Sequence, residues 1–103
     1  MVLTALTWNI RGLNAPAKRA RMWKYILDKK IEILALQETH LKRGEEHRLK
    51  HRQYPFVFRS SGPEKRCGVA LMFHTSTKIQ VIDHKADKEG RYMLVKGRLH
   101  GRV

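Results

Sequence analysis

The stretch from Ile31 to Leu41 constrains the fold of this 103-residue chain more than any other part of the sequence. Residues 31–36 are almost entirely apolar, which is typical of a strand covered on both faces. Residues 37–40 then place an amide, a carboxylate, a hydroxyl and an imidazole side by side. A buried strand that ends in a carboxylate can hold a divalent cation, because the strand fixes the oxygen and the sheet edge leaves room for water and substrate. The pattern predicts that Glu38 is a metal ligand, with an ordinary strand-end glutamate as the alternative.

The chain as a whole is predicted to begin with a strand, a helix and a second strand, and then to continue mainly as strands. The predicted elements are a strand at 2–9, a helix at 17–29, and strands at 32–37, 56–58, 68–73, 78–84 and 91–99. The strand–helix–strand order at the start indicates a crossover between neighbouring parallel strands. Asp-Lys-Glu-Gly at 87–90 has the composition of a hairpin turn, so the later strands are expected to be antiparallel. We therefore predict an α/β (α+β) fold in which one sheet face needs a cover.

The charge of the chain points to a polyanionic partner. Lys and Arg number 22 against 9 Asp and Glu, giving a net charge of +13. So large an excess suits nucleic acid far better than a small neutral substrate. A purely structural basic protein of the ribosomal kind is compatible with the same composition.

The single cysteine and the apolar segments bear on compartment and membrane association. Cys67 lies in an apolar run and has no partner for an internal disulfide, so we expect a reduced, buried thiol and a nuclear or cytoplasmic protein. No apolar segment approaches the length of a membrane span, and no membrane partner is expected.

Five short motifs follow one another along nearly the whole chain. They are Thr7–Asn14, Leu36–Leu41, His47–Lys50, Cys67–Ala70 and Asp87–Tyr92. Together they resemble the endonuclease/exonuclease/phosphatase superfamily, and within it the exonuclease III-like, apurinic-type endonuclease domain of LINE-type (non-LTR) retrotransposons. An apurinic-site repair nuclease of the exonuclease III kind is an alternative within the superfamily. A non-catalytic basic nucleic-acid-binding module is the alternative from another class.

The resemblance implies a fold, a chemistry and two site residues. It implies a four-layer α/β sandwich, with two mainly antiparallel sheets face to face and helices outside. It also implies hydrolysis of DNA phosphodiester bonds assisted by Mg²⁺ or Mn²⁺. By the same resemblance Glu38 binds the cation, and Asn9 helps to orient the substrate phosphate and the metal-site network. Without the resemblance, Asn9 would be interpreted only as a residue that ends a strand and begins a turn.

Further candidates for contact with DNA lie in the loops and at the same edge of the predicted sheet. They are His40, Asn14, Arg43, Arg48, Lys65 and Arg66. His40 could equally be an exposed loop histidine, and Asn14 could serve mainly as a helix-entry residue. His47 and His51 would share one helical face, but no third ligand accompanies them, so a zinc site is not predicted.

Other motifs of the resembled family do not occur in these 103 residues, namely Gly-Asp-Phe-Asn and Ser-Asp-His. The resemblance therefore implies that residues 1–103 are the N-terminal portion of such a domain, roughly two-fifths of a unit of about 230 residues. No general base can be named, and we expect negligible nuclease activity from this polypeptide alone. We also expect an incompletely covered sheet face, which would pair with the missing C-terminal half or cause self-association.

Overall fold

Two sheets and one α-helix make up residues 2–63 and 67–99, the part of the chain that the computed structural model describes. The elements are β1 (Ala5–Asn9), α1 (Pro16–Asp28), β2 (Ile33–Gln37), β3 (Phe56–Ser60), β4 (Val69–Phe73), β5 (Ile79–Ala86) and β6 (Met93–Leu99). Short 3₁₀ helices lie at Glu46–Leu49 and Thr75–Thr77. Within this described part, no helix combines the length and apolar character that a membrane crossing would require.

The larger sheet has the strand order β1-β2-β4-β3. β1 and β2 are parallel and are connected through α1, as the crossover prediction requires. β4 runs antiparallel to both β2 and β3, and β5 and β6 form a separate antiparallel pair. The prediction of a mixed α/β fold with mainly antiparallel sheets is therefore confirmed.

Helix α1 covers one face of the larger sheet and forms the core with it. It begins at Pro16, whose restricted φ and missing N–H suit the first helical position. Met22 and Ile26 lie one turn apart on the helix and are buried in the same cluster as Leu34 and Leu36 of β2. Alternate residues of β2 thus point into this core.

The other face of β2 is only partly covered, which corrects the prediction that both faces would be buried. Ile33 and Ala35 are half-buried there. The β5–β6 hairpin lies on this side and packs against β3 and β4, with the rings of Phe58 and His84 5.5 Å apart. On β1 the residues of the same face, Ala5 and Thr7, are exposed. Cover therefore decreases from β3 towards β1, because the hairpin is displaced to one side of the sheet.

Four rings form a cluster at the end of the sheet where β2 begins. The Tyr54 ring is 5.3 Å from that of Trp23, 5.9 Å from that of His51 and 5.2 Å from that of His74. The Tyr54 hydroxyl donates a 2.5 Å hydrogen bond to the Ile31 carbonyl. Burial, together with the nearby Arg52 and His74, lowers the pKa of His51 below its ordinary value of 6.5. The cluster therefore favours neutral His51.

Acidification is expected to destabilise the fold through His51. Because the pKa of His51 is lower in the folded chain, the unfolded chain binds the proton first as pH falls below 6.5. The free energy of unfolding therefore decreases as pH falls from the pKa of His51 in the unfolded chain to its lower pKa in the folded chain. The urea midpoint should accordingly be lower at about pH 5 than at about pH 7.5. His51→Gln should show a smaller decrease in the urea midpoint. An equal decrease in both proteins would contradict this assignment.

Candidate active site

Asn9 and Glu38 meet at the carboxyl ends of β1 and β2. The parallel register places Asn9 beside Gln37, and the Asn9 Nδ2 amide donates a short hydrogen bond to Glu38 Oε2. Strict alternation along β2 would send Glu38 to the face opposite Gln37. Glu38 instead adopts a left-handed conformation with φ of +53°, which interrupts the alternation at this residue. The adjacency on which the sequence hypothesis depends is present, and both side chains are exposed to solvent.

Backbone hydrogen bonds on both sides position residues 38–40 beyond the end of β2. Gly12 N and Leu13 N donate to the carbonyls of residues 38 and 39, at 2.7 and 2.8 Å. On the other side, the amides of residues 39 and 40 donate to the carbonyls of Gly68 and Cys67, at 3.1 and 2.9 Å. Gly68 is required here, because a Cβ on it would lie 2.2 Å from the Thr39 hydroxyl oxygen. Left-handed residues persist where such surroundings determine the backbone, often at functional sites.

His40, Asn14 and Arg48 form a chain of contacts that leads away from Glu38. His40 Nε2 is 3.6 Å from Glu38 Oε1, and Asn14 Nδ2 donates to the His40 carbonyl at 2.7 Å. Arg48 Nη1 in turn donates to Asn14 Oδ1 at 3.3 Å and is 3.4 Å from Glu45 Oε2. The structure thus brings these three candidates to one edge of the sheet, where they support one another. Their contact with DNA remains a prediction.

Of the other three basic candidates, Arg43 connects two loops, while Lys65 and Arg66 lie outside the part of the chain that the structure describes. Arg43 Nε donates to the Ser61 carbonyl at 3.2 Å, and its Nη2 donates to the Lys88 carbonyl at 2.7 Å. Arg43 therefore ties the loop after β3 to the turn between β5 and β6. Lys65 and Arg66 lie outside the described residues, 2–63 and 67–99.

Asp87 and Arg91 belong to the 87–92 motif but are not among the predicted site residues, and the structure places Arg91 in the same groove as Glu38. Asp87 Oδ2 accepts hydrogen bonds from Arg91 N at 3.1 Å and from Arg91 Nε at 3.0 Å. The bond from the Arg91 side chain holds the pKa of Asp87 below its usual range. Arg91 and Glu38 line one groove of about 220 Å³. The opposite charges four residues apart were the available sequence signal, although that spacing is usually associated with helices.

A larger hollow lies at the opposite end of β2 and has different chemistry. It has a volume of about 480 Å³ and is lined by residues that include Ile31, Tyr54 and His74. None of the candidate site residues lines it. The candidate site is therefore identified by its polar groups and not by the size of its cavity.

The donor set at Asn9 and Glu38 suits a magnesium-type ion that is held only partly by protein. Among the residues that the structure describes, no three His, Cys, Asp or Glu side chains converge in a way that could enclose a metal. Mg²⁺ commonly uses one or two carboxylates and completes its shell with water and substrate phosphate oxygens. The Glu38 carboxylate, held by the hydrogen bond from the Asn9 amide nitrogen, matches such a partial site.

In this mixed α/β fold, the parallel strands β1 and β2 bring an amide and a carboxylate together at one edge of the larger sheet. The model of the Endonuclease/Exonuclease/phosphatase family matches residues 6–102, and the chain belongs to this family. Among solved structures, the catalytic domain of Xenopus laevis APE2 is similar in fold, with a TM-score of 0.60 and 23% sequence identity. The similarity covers 79% of this chain and 26% of that one, so this chain spans about a quarter of its length.

Proposed function

We propose that residues 1–103 form the N-terminal portion of a metal-dependent DNA endonuclease domain of the LINE retrotransposon type. The observation that carries the proposal is the contact between the Asn9 amide and the Glu38 carboxylate at the ends of two adjacent parallel strands. Membership of the family supports phosphodiester hydrolysis as the chemistry. The net charge of +13 supports nucleic acid as the substrate.

In this proposal each site residue has a defined task. Glu38 would hold Mg²⁺ or Mn²⁺, and a bound ion of this kind supplies positive charge that stabilises a reacting phosphate. Asn9 orients the Glu38 carboxylate through the hydrogen bond that its Nδ2 donates. His40 lies against the other carboxylate oxygen, 3.6 Å away, and restricts its orientation. The backbone bonds of residues 38–40 hold this arrangement in place before substrate arrives.

The proposal also explains why this polypeptide alone should not cleave DNA efficiently. Phosphodiester hydrolysis needs a positioned water and a base to activate it, besides charge stabilisation. Neither Gly-Asp-Phe-Asn nor Ser-Asp-His, the segments that the family resemblance associates with these tasks, occurs in the sequence. Catalytic groups that act as a unit lose most of the rate when part of the unit is missing. We therefore expect metal binding without appreciable strand scission.

The experiment measures Mn²⁺ binding by the loss of the free-ion EPR signal and scission by nicking of supercoiled plasmid. Glu38→Gln should weaken Mn²⁺ binding by at least about tenfold, since even indirect partners of a metal ligand contribute that much. Asp28→Asn is the matched control, because this carboxylate is exposed at the end of α1. Nicking should be negligible for the original chain and for both variants.

Four results would overturn parts of this proposal. Equal Mn²⁺ affinity in the original chain and Glu38→Gln would remove the metal role of Glu38. Mg²⁺-dependent nicking that Glu38→Gln abolishes would contradict the predicted inactivity and show a competent site. DNA binding that weakens steeply with salt but ignores the metal would favour a basic binding module. Preference for duplexes with an abasic site would favour the repair-type nuclease.

A further inference from the structure

The larger sheet ends at β3, which pairs only with β4 among the residues that the structure describes. The ladder between β2 and β4 shows which backbone groups of β3 remain unpaired. His74 N donates to the Glu32 carbonyl at 2.9 Å, in the same register that pairs Ile33 with Phe73. Because hydrogen-bonded pairs alternate along an antiparallel ladder, the even-numbered residues of β4 direct their N–H and C=O groups to β2. The odd-numbered residues of β4 therefore direct theirs to β3.

The same alternation continues on β3 and leaves Val57 and Arg59 directed outward. The odd-numbered residues of β4 pair with the even-numbered residues of β3, so the backbone groups of Val57 and Arg59 point away from β4. No N–H or C=O of these two residues has a hydrogen-bond partner within residues 2–63 and 67–99. Pro55, at the preceding outward position, has no N–H and is typical of a sheet edge. From Val57 onward, the edge can therefore exchange backbone hydrogen bonds with an added strand.

Two open hollows flank this edge, and Val57 and Arg59 line both of them. One hollow has a volume of about 490 Å³ and lies on the α1 side of the sheet, where Val57 packs against the core. The other has a volume of about 380 Å³ and lies between β3 and the β5–β6 hairpin. Successive side chains of a strand point to opposite faces, so an added strand would place its side chains alternately in the two hollows.

The hollow on the α1 side has a cationic lining. Lys50, Arg52 and Arg59 contribute to it, and none of the described residues that line it is Asp or Glu. Lys50 and Arg52 are exposed. Arg59 Nη1 donates to the Glu46 carbonyl at 2.7 Å, which restricts the orientation of the guanidinium beside the edge. This hollow therefore suits carboxylate side chains, which form charge-assisted hydrogen bonds with Lys and Arg.

The hollow on the hairpin side has a mixed lining. The Phe58 and His84 rings, 5.5 Å apart, line it together with Met93. Glu46 also lines it, and one of its carboxylate oxygens accepts from Gly44 N at 3.4 Å. Threonine, which carries both a methyl group and a hydroxyl and favours strands, suits such a lining.

We propose that the edge of β3 binds an extended acidic segment of a partner protein, which adds to the larger sheet as a further strand. Backbone hydrogen bonds form at Val57 and Arg59, and carboxylates on one face of the added strand meet the cationic lining. The interaction lies beyond the proposed function, because β4 separates β3 from the strands that lead to Asn9 and Glu38.

Charge and geometry favour this occupant over two others. A second copy of the chain would pair two β3 edges and bring their cations together, and like charges across a strand pair are destabilising. Nucleic acid would meet the cations but has no alternating N–H and C=O groups to match the edge. An acidic peptide satisfies both the charges and the backbone.

The test uses a fluorescein-labelled peptide of about eight alternating Glu and Thr residues, a usual strand length. Binding is followed by fluorescence anisotropy at about 150 mM salt without divalent metal. A peptide with Lys in place of Glu should not bind measurably. Two further peptides carry N-methyl groups, one on every Glu amide and the other on every Thr amide. Only one of these sets of amides faces β3 in an added strand, so the two affinities should differ by roughly tenfold through lost backbone hydrogen bonds.

Variants of the chain test the same contacts from the other side. Val57→Pro removes an outward N–H without removing a bond to β4, and should weaken peptide binding by about two- to tenfold. Arg52→Gln should weaken it by about two- to fivefold, the usual contribution of an exposed ion pair. Arg21→Gln removes an equal charge from the exposed side of α1 and should bind the peptide as the original chain does. Arg52→Gln also provides a folded variant if Val57→Pro does not fold.

Three results would overturn the docking site. Equal affinity for the two N-methylated peptides would leave only unspecific attraction between charges. Dimerisation of the chain in sedimentation, abolished by Val57→Pro, would assign the edge to a second copy. Displacement of the peptide by an unlabelled DNA duplex, with Arg52→Gln weakening both ligands equally, would assign the cations to nucleic acid. Loss of binding on methylation of the Glu amides would support antiparallel addition, because residues paired across such a ladder point to the same face.

Discussion

Leu34→Ala is expected to destabilise the fold by about 2–5 kcal/mol, the cost of truncating a leucine in a closely packed core. Leu34 is 0% exposed and lies in β2, between its neighbours β1 and β4 and underneath α1. β2 is hydrogen-bonded on both sides, to β1 and to β4, so its backbone cannot move to close around the missing atoms. Since small domains have a total stability of roughly 5–15 kcal/mol, this one change could remove most of it.

Urea unfolding followed by tryptophan fluorescence measures this prediction, with Leu94→Ala as the matched control. Leu94 is 63% exposed on β6, so its removal should change the free energy of unfolding by no more than about 0.5 kcal/mol. If Leu34→Ala and Leu94→Ala have the same midpoint, the core is not packed as described.

Tyr54→Ala is expected to cost about 3–5 kcal/mol, which is typical for the loss of a buried aromatic ring. Tyr54 is 1% exposed and contacts the rings of Trp23, His51 and His74. Tyr54→Phe keeps the ring but leaves the Ile31 carbonyl without the hydroxyl donor, at a cost of about 1–3 kcal/mol. The two variants therefore separate ring packing from the hydrogen bond.

The control for this series is Tyr92→Ala, because Tyr92 is 58% exposed in the turn after β5. It should be close to neutral in the same urea measurement. Tyr54→Phe with unchanged stability would mean that the hydroxyl is not needed by the Ile31 carbonyl. If Tyr54→Ala lowers the free energy of unfolding no more than Tyr54→Phe does, the rings do not pack as a cluster.

Much of the fold could be predicted from local patterns in the sequence. The sequence predicted a helix at 17–29, and its observed bounds, Pro16–Asp28, differ from this range by one residue at each end. The strand–helix–strand order predicted the parallel pairing of β1 and β2, which in turn predicts that their carboxyl ends lie together. Such features depend on neighbouring residues and on the handedness of the chain, so they are readable without coordinates.

Other features depend on which segments pack together in space, and the sequence pattern did not specify them. The apolar run of β2 indicated cover on both faces, but the hairpin packs to one side and leaves Ile33 and Ala35 half-buried. Arg43 was considered as a free basic group, yet it donates to two carbonyls from distant loops. Arg91 belongs to the 87–92 motif, and only the structure shows that it shares a groove with Glu38.

By itself, the sequence determined the helix, most of the strands, the parallel pairing of the first two, and the residue types available for cation and phosphate binding. Tertiary structure alone decided that the Glu38 side chain turns back to Asn9 and that Arg91, which is paired with Asp87, lines a groove with Glu38. The left-handed backbone at Glu38 is maintained from both sides, by hydrogen bonds that the amides of residues 12 and 13 donate and by hydrogen bonds that the carbonyls of residues 67 and 68 accept. Contacts between segments so distant along the chain leave no local periodicity to read, because they arise only when the strands have paired.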